Sequence, residues 1–177
     1  IPNTVPTVVR GMPFAPFYNV LGPKGERWVP LHGVMSHSKA PAFHEALVKL
    51  YAAEAEAMAR HGVTHGGMFE TVGSSGFLYE IALYWPDTRN DYHPSVVPAD
   101  YLASLPAYPE NLPARAYVHE LKGKLIDLYG AFGATHFQLG KAYPYASALS
   151  PEPLSAVRAL KARLDPKGLM NPGALGL

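Results

Sequence analysis

The carboxy-terminal segment over residues 164–176, Leu-Asp-Pro-Lys-Gly-Leu-Met-Asn-Pro-Gly-Ala-Leu-Gly, leaves its backbone few conformations. An amphipathic pattern of leucine and valine runs up to it. Pro166 must end that helix, because proline lacks a backbone N–H and disfavours a helical residue before it. Gly168 is typical of a turn, and Pro172 next to Gly173 places a stiff position beside a permissive one. The sequence therefore predicts a carboxy-terminal helix that is followed by an extended hook.

The composition of the 177-residue chain suits one domain with a sizeable core, or one domain and a tail. Hydrophobic residues make up 48% of the chain, but charged residues make up only 16%, below the usual quarter. A low surface charge fits a chain that hides part of its face against another domain or subunit. Short polar loops in a small protein would give the same value, so both explanations stay open.

Several classes of partner and site are excluded by what the sequence lacks. The net charge is +1 and no lysine or arginine cluster exists, which gives no reason to expect nucleic-acid binding. The absence of cysteine excludes disulfides, thiolate metal sites and cysteine nucleophiles. No apolar run approaches the about 18 residues that a membrane span needs, and no signal peptide is visible. We expect a cytoplasmic protein without a membrane partner, and a periplasmic location stays open.

Apolar patterns predict one small α+β domain. Residues 77–85 carry the strongest strand pattern, and a Gly-Ser-Ser-Gly turn at 73–76 joins them to the strand before. Apolar residues at helical spacing predict two long helices. The order strand, helix, strand, strand, helix, strand is the split β-α-β pattern of a ferredoxin-like antiparallel sheet with helices on one face. These predicted elements cover residues 27–35, 41–60, 64–72, 76–85, 114–129 and 135–141.

Two proline-rich stretches flank or interrupt this pattern. Residues 1–26 are predicted to form an extended amino-terminal arm that lies on another surface. Residues 86–113 contain six prolines, and we interpret them as a long excursion without regular structure. Such a loop suits a dimer contact, so we expect a homo-oligomer. The chain then divides into the arm, a domain over 27–150, and the helix and hook over 151–177.

Three stretches resemble, in the same order, the carboxy-terminal part of a flavoenzyme. They are Thr-Val-Gly-Ser-Ser-Gly at 71–76, Gly-Ala-Thr-His-Phe-Gln-Leu-Gly-Lys at 133–141, and the hook segment. The resemblance is to the cap, or substrate, domain of FAD-linked oxidases and dehydrogenases of the vanillyl-alcohol oxidase, p-cresol methylhydroxylase and glycolate oxidase type. It implies that residues 27–150 bind a small-molecule substrate and that residues 151–177 return to the FAD-binding half of the enzyme.

The activity that this resemblance implies is hydride transfer from an alcohol, phenol or hydroxy-acid carbon to flavin. No Gly-x-Gly-x-x-Gly follows a strand and opens a helix here, and the FAD-binding half is absent from the sequence. We therefore expect the chain to bind FAD poorly alone and to need that half as its partner. A non-catalytic ferredoxin-like module for ligand binding or dimerisation is the alternative, because a fold by itself does not settle function.

Departures from the family pattern limit the cofactor and substrate. In the hydroxy-acid branch two histidines and a glutamate bind a divalent metal, and the matching positions here are Thr71, Tyr79 and His136. Two weakly basic oxygens and one imidazole make a poor zinc site, so we predict no metal and a weaker case for a hydroxy acid. The phenol branch has a Tyr-Arg pair, which is replaced here by Thr135 and His136.

Flavin attachment is the second point on which the family comparison gives an expectation. In the phenol-oxidising branch a cap histidine or tyrosine just before the first strand can be bonded to the flavin. The matching residues 24–27 include neither type. We expect non-covalent FAD as far as this linkage position shows.

Candidate site residues follow from the predicted strand at 135–141 and from the hook. His136 and Gln138 share one strand face, which is either solvent-facing or the wall of a pocket beside the flavin. There His136 would be the catalytic residue, stabilising an oxyanion as histidine can near neutral pH, and Gln138 would bind substrate. Tyr143 continues this face as a substrate contact and Lys141 as a cofactor contact, or both mark an exposed strand end. Asn171 would lie beside the isoalloxazine, or simply form a turn before proline.

Two further residues are weaker candidates for substrate contact. Tyr79 falls among the apolar positions of the central strand, which favours a buried tyrosine with a local hydrogen bond. His32 lies on the first strand as a possible pocket residue, and no set of further ligands makes it half of a metal pair with His37.

Overall fold

The computed structural model describes residues 20–136, 138 and 140–177. Within this part of the chain, no helix combines the length and the apolar character that crossing a membrane requires. Short 3-10 turns lie at His37–Lys39 and Ala174–Gly176. The main elements are β1 (Arg27–Ser36), α1 (Ala40–His61), β2 (Thr64–Val72), β3 (Gly76–Trp85), α2 (Tyr92–Val96), α3 (Ala99–Ser104), α4 (Leu112–Ala131), α5 (Tyr145–Ala148) and α6 (Pro151–Leu164).

The sheet has three antiparallel strands in the order β1-β3-β2, which confirms the predicted α+β fold class. β3 lies in the centre, as expected for the strand with the most continuous apolar sequence. In its register Leu31 lies opposite Ile81, and Phe69 lies opposite Tyr79. Side chains alternate between the two faces of a strand, so these odd-numbered residues share one face of the sheet.

The predicted fourth strand over 135–141 is reduced to a single antiparallel bridge between Thr135 and Val34, and the prediction of a full strand is wrong for the residues described. The bridge lies at the outer edge of β1, where a ferredoxin-like fold has its last strand. Beyond it, the ring of His136 bonds the carbonyl oxygen of His32 through Nδ1, at 2.6 Å. The His136 side chain thus occupies the carbonyl oxygen of His32, which would accept a backbone N–H if the antiparallel strand continued.

The core lies between the odd-numbered face of the sheet and helices α1 and α4. Phe43 of α1 stacks on Tyr129 of α4 with ring centroids 4.8 Å apart. Asn111 caps α4 by accepting the backbone N–H of Ala114 with its side chain, which satisfies one of the free donors of a helix start. The predicted packing of both long helices on one face is confirmed. The largest fully buried side chains in this core are Leu31, Phe43, Ile81, Leu83, Leu121, Leu125 and Tyr129.

The prediction that residues 86–113 lack regular structure is wrong. The segment contains α2 and α3 and packs on the rest of the chain. Its prolines misled the prediction, because proline is tolerated at helix starts, and Pro98 is the N-cap of α3. Asp87, buried beside Trp85, accepts hydrogen bonds from the backbone N–H of Asn111 and from the guanidinium of Arg115. A second small core forms here, and its buried members are Leu21, Val97 and Leu102.

The two ends of the chain differ in how much of each prediction is tested. Most of the predicted amino-terminal arm, residues 1–19, lies outside the described residues. α6 ends at Leu164, which confirms the predicted helix end. The carboxylate of Asp165 then accepts the N–H groups of Leu169 at 2.9 Å and Met170 at 3.0 Å, and Lys161 pairs with it at 2.5 Å. Asp165 thereby fixes the first turn of the hook.

Candidate functional site

A cavity of about 440 Å³ lies where the chain leaves α4 and passes through residues 133–149. It brings together three of the residues proposed from sequence, and it adds polar and aromatic groups that the sequence had not indicated. The lining includes Thr135, His136, Gln138, Tyr143, Tyr145 and Ser147. Tyr145 and Ser147 were missed because they lie on α5, a four-residue helix too short to show a periodic pattern.

His136 is held in one orientation by its neighbours. Its Nδ1 lies 2.6 Å from the carbonyl oxygen of His32, and a carbonyl only accepts, so Nδ1 carries the proton. In the neutral ring Nε2 therefore keeps its lone pair as an acceptor. The ring stacks on Tyr143 with centroids 4.0 Å apart and meets Tyr129 edge-on at 5.5 Å.

The electrostatic surroundings favour a neutral imidazole. Burial lowers the pKa of His136, and the hydrogen bond with the backbone of His32 opposes this in part. Burial likewise raises the pKa of the Tyr143 phenol, which stays protonated at neutral pH. The described lining of the cavity contains no lysine, arginine, aspartate or glutamate. The arrangement can accept a proton or a hydrogen bond at Nε2, and it offers no fixed charge.

His32 lies behind this cavity instead of lining it. It is 1% exposed on the sheet face opposite α1 and α4, and its ring centroid is 5.8 Å from that of Tyr143. Burial lowers its pKa, and the nearby His136 lowers it further. Glu80 faces His32 across the strands, and burial raises the pKa of its carboxyl. Glu80 was missed, although an acid inside an apolar strand was a visible signal.

Tyr79 is not brought to the cavity. It lies on the helix-packed face of the sheet, where its hydroxyl shares a hydrogen bond of 2.7 Å with Nδ1 of His44. Its ring meets Phe43 edge-on at 4.8 Å. This is the buried, locally bonded tyrosine that the strand pattern favoured, and it is not among the residues that line the cavity of His136.

Lys141 and Asn171 lie together in a second hollow next to the cavity. The backbone N–H of Leu175 donates to the carbonyl oxygen of Gly140 at 2.7 Å, which ties the hook to the segment after His136. Gly140 lines both hollows. Asn171 has a φ of 47°, a left-handed conformation that asparagine tolerates better than most residues. The two proposed cofactor contacts thus share one surface.

Metal ligands do not gather in the part of the chain that the structure describes. No group of three or more histidine, cysteine, aspartate or glutamate side chains there is placed to hold an ion. Thr71, one of the positions that the family pattern would use, lies on β2 opposite Phe77, in the strand farthest from β1.

Comparisons with protein-family models, with curated proteins and with solved structures find no significant match for this chain. The fold and the site therefore define an α+β protein with an uncharged cavity lined by an imidazole and aromatic rings.

Proposed function

We propose that the chain is the substrate-binding part of an FAD-dependent oxidoreductase that removes a hydride from an alcohol, phenol or hydroxy-acid carbon. The observation that carries the proposal is the meeting of the hook with the segment after His136. The bond from Leu175 to Gly140 places Asn171 and Lys141 beside the cavity of His136. Two segments that the resemblance assigns to cofactor and substrate thus form one surface.

α6 and the hook expose an apolar surface, and this surface supports the proposal that a second part of the enzyme covers it. Side chains here are as exposed as polar surface residues: Leu160 59%, Leu164 69%, Leu169 75% and Met170 63%. Monomeric soluble proteins seldom expose neighbouring apolar groups of this size without a partner. The FAD-binding half of the enzyme is the partner that the proposal supplies.

The donor groups beside the cavity fit a flavin ring. The ammonium of Lys141 and the side-chain amide of Asn171 supply N–H donors, which suit the carbonyl oxygens and ring nitrogens of an isoalloxazine. When bound, the flavin would supply the hydride acceptor. Non-covalent attachment stays our expectation for this part of the enzyme.

His136 is the proposed base. As the hydride leaves carbon, the O–H of an alcohol or phenol must lose its proton, and Nε2 of a neutral imidazole accepts it. The bond from Nδ1 to His32 holds the ring in the required tautomer. Gln138 and Tyr145 line the same cavity and offer hydrogen-bonding groups that would orient the substrate.

The lining narrows the substrate class within this proposal. An anionic hydroxy acid gains most from a fixed cation, and the described lining has none. Stacked aromatic rings and a neutral imidazole instead suit an uncharged alcohol or phenol. We therefore place neutral, ring-bearing alcohols and phenols before D-lactate-like acids.

The test uses the assembled enzyme, with the FAD-binding half and with His136→Gln. We expect kcat to fall about 10² to 10⁴-fold, the usual contribution of a positioned base. His119→Gln on the exposed surface of α4 is the matched control and should keep wild-type kinetics. Because burial lowers the pKa of His136, wild-type kcat/KM should fall only below the usual histidine range near about pH 6.5.

The same experiment separates the proposal from a binding module without redox chemistry. Unchanged turnover and KM in His136→Gln would remove the histidine from the mechanism. Full-length protein that shows no flavin absorbance and takes up no added FAD would favour the module. That second function would draw on the exposed edge of β2, which offers a surface for another chain.

A further inference from the structure

β2 is an edge strand that is uncovered along its whole length. Eight of its nine residues are exposed, and Gly66 is half-buried. Large apolar side chains lie on both faces, with exposed fractions of 52% for Met68, 54% for Phe69 and 46% for Val72. Among the residues that the structure describes, its outer edge pairs with no other strand.

Three of the devices that protect a strand edge are absent from β2. Such edges commonly carry lysine, proline or a bulge, which prevent another strand from adding to them. The sequence Thr-His-Gly-Gly-Met-Phe-Glu-Thr-Val contains neither lysine nor proline. Its register with β3 runs one-to-one from Thr64 opposite Tyr84 to Val72 opposite Gly76, so no bulge interrupts it. The edge is therefore open to pairing.

We propose that β2 pairs antiparallel with β2 of a second copy of this chain, around a two-fold axis at Met68. The register that overlaps all nine residues places Met68 opposite Met68, and Thr64 opposite Val72. Alternate residues of a strand direct their N–H and C=O groups to each side, so such a pair forms about eight to ten backbone hydrogen bonds. The two three-stranded sheets become one continuous antiparallel sheet.

The charge pattern of the strand fits this register. Glu70 is the only acid in β2, and it lies opposite Gly66 of the second copy. The two Glu70 carboxylates are then four residues apart along the pair, about 13 Å. That separation exceeds the screening length of about 8 to 10 Å at ordinary salt, so like charges do not oppose the contact.

Shape also fits, because each aromatic ring meets a glycine. Phe69 lies opposite Gly67 of the second copy, on the helix-packed face. Within one chain the ring of Phe69 already reaches over Gly67, with Cζ 3.2 Å from the position of a Cβ there. An aromatic ring that covers a glycine on a neighbouring strand stabilises sheet edges. In the dimer each Phe69 lies opposite a glycine of the second copy, so no bulky side chain there opposes the ring.

A side chain of α1 extends the apolar contact beside the same seam. His44 bonds Tyr79 and Tyr51 stacks on His65 at 3.9 Å, so this flank of α1 faces β2. Val48 lies between them in sequence on the same flank, and it is 52% exposed. A two-fold axis perpendicular to the sheet places both copies of α1 on one face, where the two valines flank the seam.

The register can be tested by cross-linking, because the chain contains no cysteine. Met68→Cys places two thiols directly opposite each other, at the Cα separation of about 4.5 to 5.5 Å that a disulfide can span. Under mild oxidation we expect most of the full chain to become a covalent dimer. Glu70→Cys is the matched control, because its two thiols are about 13 Å apart and should not link. Equal cross-linking of both variants would overturn the register.

Sedimentation equilibrium tests the dimer itself. We expect a concentration-dependent dimer for the full chain, and a monomer for Met68→Lys, which sets two ammonium groups face to face. Val96→Lys, at another half-exposed valine outside the sheet, should leave the dimer intact, and circular dichroism should show all variants folded. A monomer at every concentration, or a dimer that Met68→Lys does not weaken, would overturn the proposal.

Discussion

The part of the chain from β1 to α4 and the part after α4 differ in how completely they bury their own apolar groups. The first part contains a continuous core between sheet and helices. In the second part no described residue is buried, and neither α5 nor α6 has a buried side chain. Both parts contain helices with apolar residues, so composition does not explain the difference.

This difference indicates which part of the fold is complete within the chain. Residues 27–131 enclose a core of their own and leave apolar side chains exposed, notably at β2, whereas residues 141–177 present leucine and methionine side chains to the outside and bury none of the described ones. The cavity of His136 lies at the junction of these two parts. We infer that the first part holds the site in position and that the second part joins it to a partner.

The difference in burial between the two parts is tested most strongly by a leucine-to-alanine substitution in each of them. Leu121→Ala removes a side chain with no exposed area, and we expect it to lower the free energy of unfolding by about 2 to 5 kcal/mol. Leu164→Ala, on the exposed stripe of α6, should change it by less than about 0.5 kcal/mol. Urea unfolding of both variants measures the two values. Similar losses would mean that α6 is buried in solution.

A smaller effect is expected at the ion pair that ties residues 86–113 to the first part. Donors from Arg115, Asn111, Trp85 and Thr88 outweigh burial and hold the pKa of Asp87 at about 2, against 3.8 for an ordinary aspartate. The folded pKa is depressed, so the stabilisation is complete above about pH 4 and is lost as pH falls toward 2. At about 1.4 kcal/mol per pKa unit, the depressed pKa of Asp87 contributes about 2 kcal/mol to the free energy of unfolding.

Asp87→Asn checks this expectation. We predict that the variant is about 2 kcal/mol less stable at neutral pH and that its stability no longer falls through this window as the wild type does. Unfolding by urea at a series of pH values between neutrality and pH 2 measures both. A variant with the wild-type pH profile would show that other carboxylates cause the acid sensitivity.

The smallest predicted difference concerns one hydroxyl in each part. Tyr129 donates to the carbonyl oxygen of Tyr79 at 2.8 Å inside the core, and Tyr129→Phe leaves that acceptor without this donor, at a cost of about 1 kcal/mol. Tyr145→Phe in the open cavity should stay within about 0.5 kcal/mol. Thermal or urea unfolding of the two variants measures the difference, and equal losses would contradict it.

The sheet and its two long helices could be predicted from sequence because their signals are local. The pattern gave both limits of β2 and β3, and α1 differs from its predicted range by one residue at each end. Apolar residues alternate along a strand or recur at helical spacing because each element buries one of its faces. This pattern is therefore visible in the sequence of each element alone. Tyr79 is an example, since its apolar neighbours indicated the buried position that it takes.

The remaining features depend on contacts between distant residues, which no local pattern records. Thr135 bridges Val34 of β1, and the His136 ring beside it bonds a carbonyl about a hundred residues earlier. Asp87 is bonded to Arg115 across the segment that prolines made look irregular. His136, Gln138 and Tyr143 were found because they lie close in sequence, whereas the position of Glu80 opposite His32 emerges only from the register of the sheet.

The bond between Nδ1 of His136 and the backbone of His32 has a further consequence for β1. A carbonyl cannot change its hydrogen-bonding role with pH or with the occupant of the cavity, unlike a side-chain partner. Any movement of the imidazole toward a ligand must therefore either break this hydrogen bond or displace β1, whose neighbours in the sheet resist such movement. Ligands of different shape would have to be accommodated by the residues after Gly140, and His136 would act as a fixed reference point.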